Sequence, residues 1–113
     1  KEYGLSEENI QVLLEQICPE ETSVAACRLG DLLIVGVPGE MSAELGLKIK
    51  GELSENGIPY PVIGGLANQW ISYILSGEEY DKSGYEASVS FYGRELGNVV
   101  VRAMLDTAEP LIK

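Results

Sequence analysis

The chain has 113 residues, one domain's worth, and its 45% hydrophobic and 23% charged residues are ordinary for a globular protein. Eighteen acidic residues against eight basic ones leave a net charge of −10, which argues against nucleic acid and against electrostatic docking on anionic lipid, since both need Lys and Arg in excess. No apolar run approaches the ~20 residues of a membrane span, no signal-peptide pattern is read at the start, and there is no histidine.

In chain order, Ser6 reads as the N-cap of a first helix, with Glu7 and Glu8 in its electropositive first turn. Ile10, Leu13, Leu14 and Ile17 recur at the spacing of one buried helical face, and Pro19 ends the pattern. Two apolar runs follow, Val24 to Leu29 and Leu32 to Val37, separated by Gly30-Asp31. Glycine at the first central position suits a type II′ turn, so the pair reads as a β-hairpin. The second run is apolar on both faces and reads as a central strand, stopped by Pro38-Gly39.

Ser42 is placed to cap a second helix over Ala43 to Glu55, with Leu45, Ile49 and Leu53 in one row and Asn56-Gly57 as the left-handed stop. Pro59 to Leu66 reads as a further strand with Val62 and Ile63 in the core. Gly64-Gly65 at its end suggests a close approach of backbone to a neighbour. Trp70 to Leu75 is left open between helix and strand, and Gly77 to Gly84 reads as an exposed turn or loop. In Ser88 to Tyr92, Val89 and Phe91 alternate with Ser88, Ser90 and Tyr92. A last helix runs from about Glu95 with Leu96, Val100, Ala103, Met104 and Ala108 as its stripe, and Pro110 marks its fraying end. These elements give an α/β or α+β fold, a mixed sheet of three to five strands covered by about three helices, in a single domain over 1–113. Cys18 and Cys27 fit no common zinc-ligand spacing and read as buried free thiols; they leave the compartment open.

Two places carry possible chemistry. Glu40 falls between the end of a strand and the start of a helix, a recurrent ligand-binding location in α/β folds, although the helix dipole alone would favour a carboxylate there. The stretch Gly64 to Tyr92 holds the only tryptophan and four of the six tyrosines, Tyr73, Tyr80, Tyr85 and Tyr92. Side chains with apolar bodies and polar tips suit a pocket wall as well as a core.

The ordered set Gly65-Leu66, Asn68, Tyr73, Glu78-Glu79-Tyr80, Tyr85-Glu86-Ala87 and Tyr92-Gly93 resembles the neutral/alkaline non-lysosomal ceramidase family, in the last part of its catalytic domain. Gly36-Val37-Pro38-Gly39-Glu40 resembles the same family's G-x-P-G-E element. The likeness runs from about Leu29 to Ala108, about two thirds of the chain. It implies a zinc-dependent amidase that cleaves the N-acyl bond of ceramide, with zinc held by two histidines, a glutamate and a tyrosine. Glu40 matches that glutamate and Tyr73 the tyrosine, in N-x-[aromatic]-x-x-Y. Tyr85 matches a tyrosine that faces the scissile carbonyl, while Asn68 and Trp70 fall on the implied substrate wall. The family has tyrosine where this chain has Trp70.

The histidines and the family's catalytic serine belong to upstream segments that this chain does not contain. The resemblance therefore implies the C-terminal part of the catalytic domain, inactive alone and without zinc by itself, whose partner is the missing N-terminal part. A lipid or N-acyl amide is the implied substrate of the complete protein, and a secreted or cell-envelope location is compatible with it. An uncovered face would favour homo-oligomers. Two other readings stand beside this one: a non-catalytic binding or assembly module that keeps the fold, and a stand-alone enzyme that uses carboxylates without metal.

Overall fold

The computed structural model describes residues 6–113, apart from the side chain of Glu7. Helix α1 (Glu7–Ile17) begins where Ser6 accepts a hydrogen bond from the Asn9 amide. The hairpin follows as β1 (Ala25–Leu29) and β2 (Leu32–Gly36), antiparallel, with Leu29 paired to Leu32. Gly30 takes φ +62° while Asp31 stays out of the positive region, as a II′ turn requires. A two-residue strand β3 (Glu40–Met41) leads into α2 (Ala43–Glu55), capped by Ser42 and closed by Asn56 with Gly57 at φ +93°.

Strand β4 (Tyr60–Gly64) lies parallel to β2, which is thus central in a mixed sheet of order β1-β2-β4. A second, two-stranded parallel sheet joins β3 to β5 (Tyr73–Ile74). The short helices α3 (Gly77–Asp81) and α4 (Tyr85–Ser88) precede α5 (Leu96–Ala108), and a 3-10 turn over Glu109–Leu111 carries Pro110. The class is α/β, as expected from the sequence.

The core lies on one face of the larger sheet. Leu33 and Val35 from β2 meet Leu45, Ile49 and Leu53 from α2 and Val100, Val101, Met104 and Ala108 from α5, all buried. Arg28 in β1 anchors the C-terminus, donating to the carbonyls of Leu111 and Ile112 at 2.6 and 3.0 Å.

Several expectations are corrected. The α1 stripe is not buried: Ile10, Leu13 and Ile17 are 42–55% exposed, because an amphipathic face is hidden only where another element packs on it. Gly77 to Gly84 contains a capped helix rather than a plain turn, and 88–92 leaves helix α4 for turns instead of extending. Val62 is exposed and Ile63 half-buried, since the period of two sends Val62 to the uncovered side. Both cysteines are free, but Cys27 is exposed on that same side. The close backbone approach lies at Gly39 rather than at Gly64-Gly65, where an added Cβ would find only ordinary contacts.

That uncovered side is apolar. The strand register lines up Leu29, Leu32 and Tyr60 in one row and Cys27, Ile34 and Val62 in the next. Leu29 and Tyr60 are 63% and 65% exposed. Parallel pairing is usually covered on both faces; here the helices cover one.

Candidate functional site

The segment after β2 is wedged between two stretches of backbone. The Val37 amide donates to the Gly64 carbonyl, the Ile71 amide to the Pro38 carbonyl and the Glu40 amide to the Ser72 carbonyl, at 2.7–3.0 Å. A Cβ on Gly39 would lie 2.6 Å from the Ser72 carbonyl oxygen, so only glycine lets the two strands approach. Pro-Gly-Glu is thereby a packing device: the proline carbonyl takes the first bond from the neighbouring segment, glycine admits that segment, and glutamate opens the β3–β5 pairing.

That pairing joins Glu40 to Tyr73, thirty-three positions later in the chain. Register partners project to the same face of a sheet, so a carboxylate and a phenol stand side by side. Trp70 adds its indole N–H, which donates to Oε2 of Glu40 at 3.3 Å. The Tyr85 ring meets that of Tyr73 edge-on, with centroids 5.9 Å apart. Glu40, Trp70, Tyr73 and Tyr85 are therefore one constellation. Asn68 is exposed with φ +68°, a turn residue on the approach to Trp70.

Two buried serines lock β5 in place. Ser72, at φ +76°, donates its hydroxyl to the Val89 carbonyl, and Ser90 donates to that of Tyr73 at 2.8 Å. On the other side Glu79 ties two helix starts together. Its carboxylate accepts from the Ser42 hydroxyl at 2.7 Å and from the Ser76 amide at 2.9 Å, while the Glu79 amide donates to the Ser76 hydroxyl oxygen at 3.1 Å. Burial works to raise the Glu79 pKa, but the bonds from Ser42 and Ser76, with the charge of Lys82, together hold it below the usual range. Ser76 followed three residues later by Glu79 is the capping-box signal that the sequence carries for this residue.

An open depression of about 560 Å³ is lined by Glu40, Ser42, Tyr73, Glu79, Lys82 and Glu86, among others. Its field is negative. Burial raises the pKa of the Tyr73 phenol, and the charges of Glu40, Tyr85 and Glu86 add to the rise.

A family model described as "Neutral/alkaline non-lysosomal ceramidase, N-terminal" matches residues 7–101. The chain belongs to this family. Among its ceramidase relatives, neutral ceramidase 1 of Arabidopsis thaliana is 34% identical over 85 residues, 66% of this chain and 11% of that protein. The neutral ceramidase of Pseudomonas aeruginosa is 30% identical over 79 residues, 66% of this chain and 12% of that protein. A solved ceramidase complexed with C2 superposes with a TM-score of 0.71 at 29% identity, covering 76% of this chain and 14% of that one. The chain thus spans between a tenth and a seventh of these ceramidases.

Zinc, which the resemblance implied, can be tested against the donors present. Glu40 offers a carboxylate with one oxygen engaged by Trp70, and Tyr73 a neighbouring phenol whose ionisation the surrounding negative charge opposes and a cation would favour. Both are oxygen donors compatible with zinc. Among the described residues no group of three or more His, Cys, Asp and Glu could hold a metal. The pair fits part of a tetrahedral site.

Proposed function

We propose that this chain is the part of a ceramidase-type amidohydrolase that carries the glutamate and tyrosine half of a zinc site, and that N-acyl hydrolysis belongs to the complete protein. The observation that carries this reading is the Glu40–Tyr73 register pair, which brings together two residues that the family resemblance had singled out separately. In the complete protein the remaining ligands come from the N-terminal part of the catalytic domain. Bound there, zinc would polarise the scissile carbonyl and lower the pKa of a bound water. Glu40 and Tyr73 would hold and orient it. Tyr85, 69% exposed beside Tyr73, would donate its hydroxyl to the developing oxyanion. Asn68 and Trp70 would flank the entrance.

The isolated chain is expected to hold no tight zinc and to hydrolyse no fluorogenic N-acyl substrate. Metal analysis after dialysis, run with the assay, checks both. Stoichiometric zinc that survives dialysis and disappears in Glu40→Ala would overturn the half-site reading.

The bare apolar side of the β1-β2-β4 sheet is where the rest of the catalytic domain would pack. Its rows of Leu29, Leu32 and Tyr60 and of Cys27, Ile34 and Val62 continue a parallel pairing that favours cover on both faces. Separated from that cover, the chain should self-associate at rising concentration. Light scattering should follow the association, and Val62→Lys with Tyr60→Lys should reduce it. A wild-type chain that stays monomeric and binds no apolar dye would argue against a covering segment.

A further inference from the structure

Trp70 was expected on a substrate wall, in a place where the family has tyrosine. Its indole N–H also donates to the Glu40 carboxylate, although the residue is 53% exposed. An indole N–H is a donor with no acceptor function, so it commits one carboxylate oxygen and leaves Oε1 on the other side. The backbone of the two residues is already coupled through the 38–40 and 71–73 segments. Glu40 is thus fixed at both ends, its main chain by β5 and its side chain by Trp70.

We infer that Trp70 is a positioning residue, holding the Glu40 carboxylate so that a single oxygen is presented to a cation beside the Tyr73 phenol. This rests on the half-site reading above. Ligating carboxylates that accept a hydrogen bond on the second oxygen keep one orientation, and losing such a partner typically weakens metal binding 10–100-fold. The exposure of Trp70 places the expected effect at the lower end, about tenfold.

The chain has one tryptophan, so its indole N–H gives one assignable proton–nitrogen NMR signal. In the wild-type chain that signal should lie downfield of a free indole and exchange slowly with water. It should return to the free position in Glu40→Ala and stay displaced in Tyr73→Phe. Trp70→Phe supplies the reciprocal reading, a change at the Glu40 side-chain carboxyl carbon with core amides unmoved.

Zinc added at millimolar levels, followed at the Tyr73 ring, should bind about tenfold more weakly to Trp70→Phe than to wild type. An indole signal at the free position in wild type, or one unaffected by Glu40→Ala, overturns the contact. Equal zinc affinity in wild type and Trp70→Phe overturns the positioning role. Failure of zinc to perturb Tyr73 in wild type, with the indole contact intact, overturns the half-site reading and the inference with it.

Discussion

Tyr85→Phe is expected to lower kcat of the complete protein by roughly 10²–10³, the loss typical of one oxyanion donor, with zinc content unchanged. Tyr73→Phe is expected to do the opposite, lowering zinc occupancy, with activity recovering at least in part when zinc is added. Each substitution removes one hydroxyl and leaves the ring, so the edge-on packing of the two rings at 5.9 Å survives in both. The difference follows from placement: Tyr73 is paired directly with Glu40, while Tyr85 stands on α4, exposed. Steady-state kinetics and metal analysis on the same preparations separate the two roles. Full metal and full kcat in both variants would reduce the aromatic cluster to packing.

Gly97→Ala is expected to destabilise the fold by about 1–3 kcal/mol or more, the cost of overpacking where little can relax. Gly97 is buried in the first turn of α5, and a Cβ there would run into the Leu75 carbonyl and come within 3.0 Å of Leu45 Cδ1. One contact is backbone, immediately after β5, so accommodating the methyl group means moving the strand that carries Tyr73. The control has the opposite sign. Gly46 and Gly51 lie in α2 with open space around an added Cβ, and alanine at either should stabilise by about 0.4–1 kcal/mol. Urea unfolding of the three variants measures this. A Gly97→Ala chain as stable as wild type would show that α5 does not press on β5 as closely as described.

These expectations also mark where sequence reading reached its limit. The hairpin, α2 and α5 were legible because their signals are local: Gly30 at the turn, Ser42 and Asn56-Gly57 as caps, apolar residues at fixed periods. The sheet was legible as mixed in character, but the pairing of β4 with β2 was not, because parallel partners are joined by a long crossover without a turn signature. Strand β5 remained open between two readings since two residues carry no periodicity, and α3 was missed beneath its glycines and charges despite its capping box.

The site divides along the same line. Glu40, Tyr73 and Tyr85 were singled out through the resemblance to the ceramidase family, and the sequence by itself supplied the overall acidic balance but not the acidic lining around them. Their juxtaposition was decided only by tertiary structure: the missing side chain of Gly39 admits β5, and Ser72 and Ser90 clamp that strand. The Trp70–Glu40 hydrogen bond belongs there as well, because a contact between residues thirty positions apart leaves no local trace. So does the bare sheet face. Alternation predicts two faces for a strand, but which face a helix covers depends on where the crossover carries it, and that is a property of the folded chain.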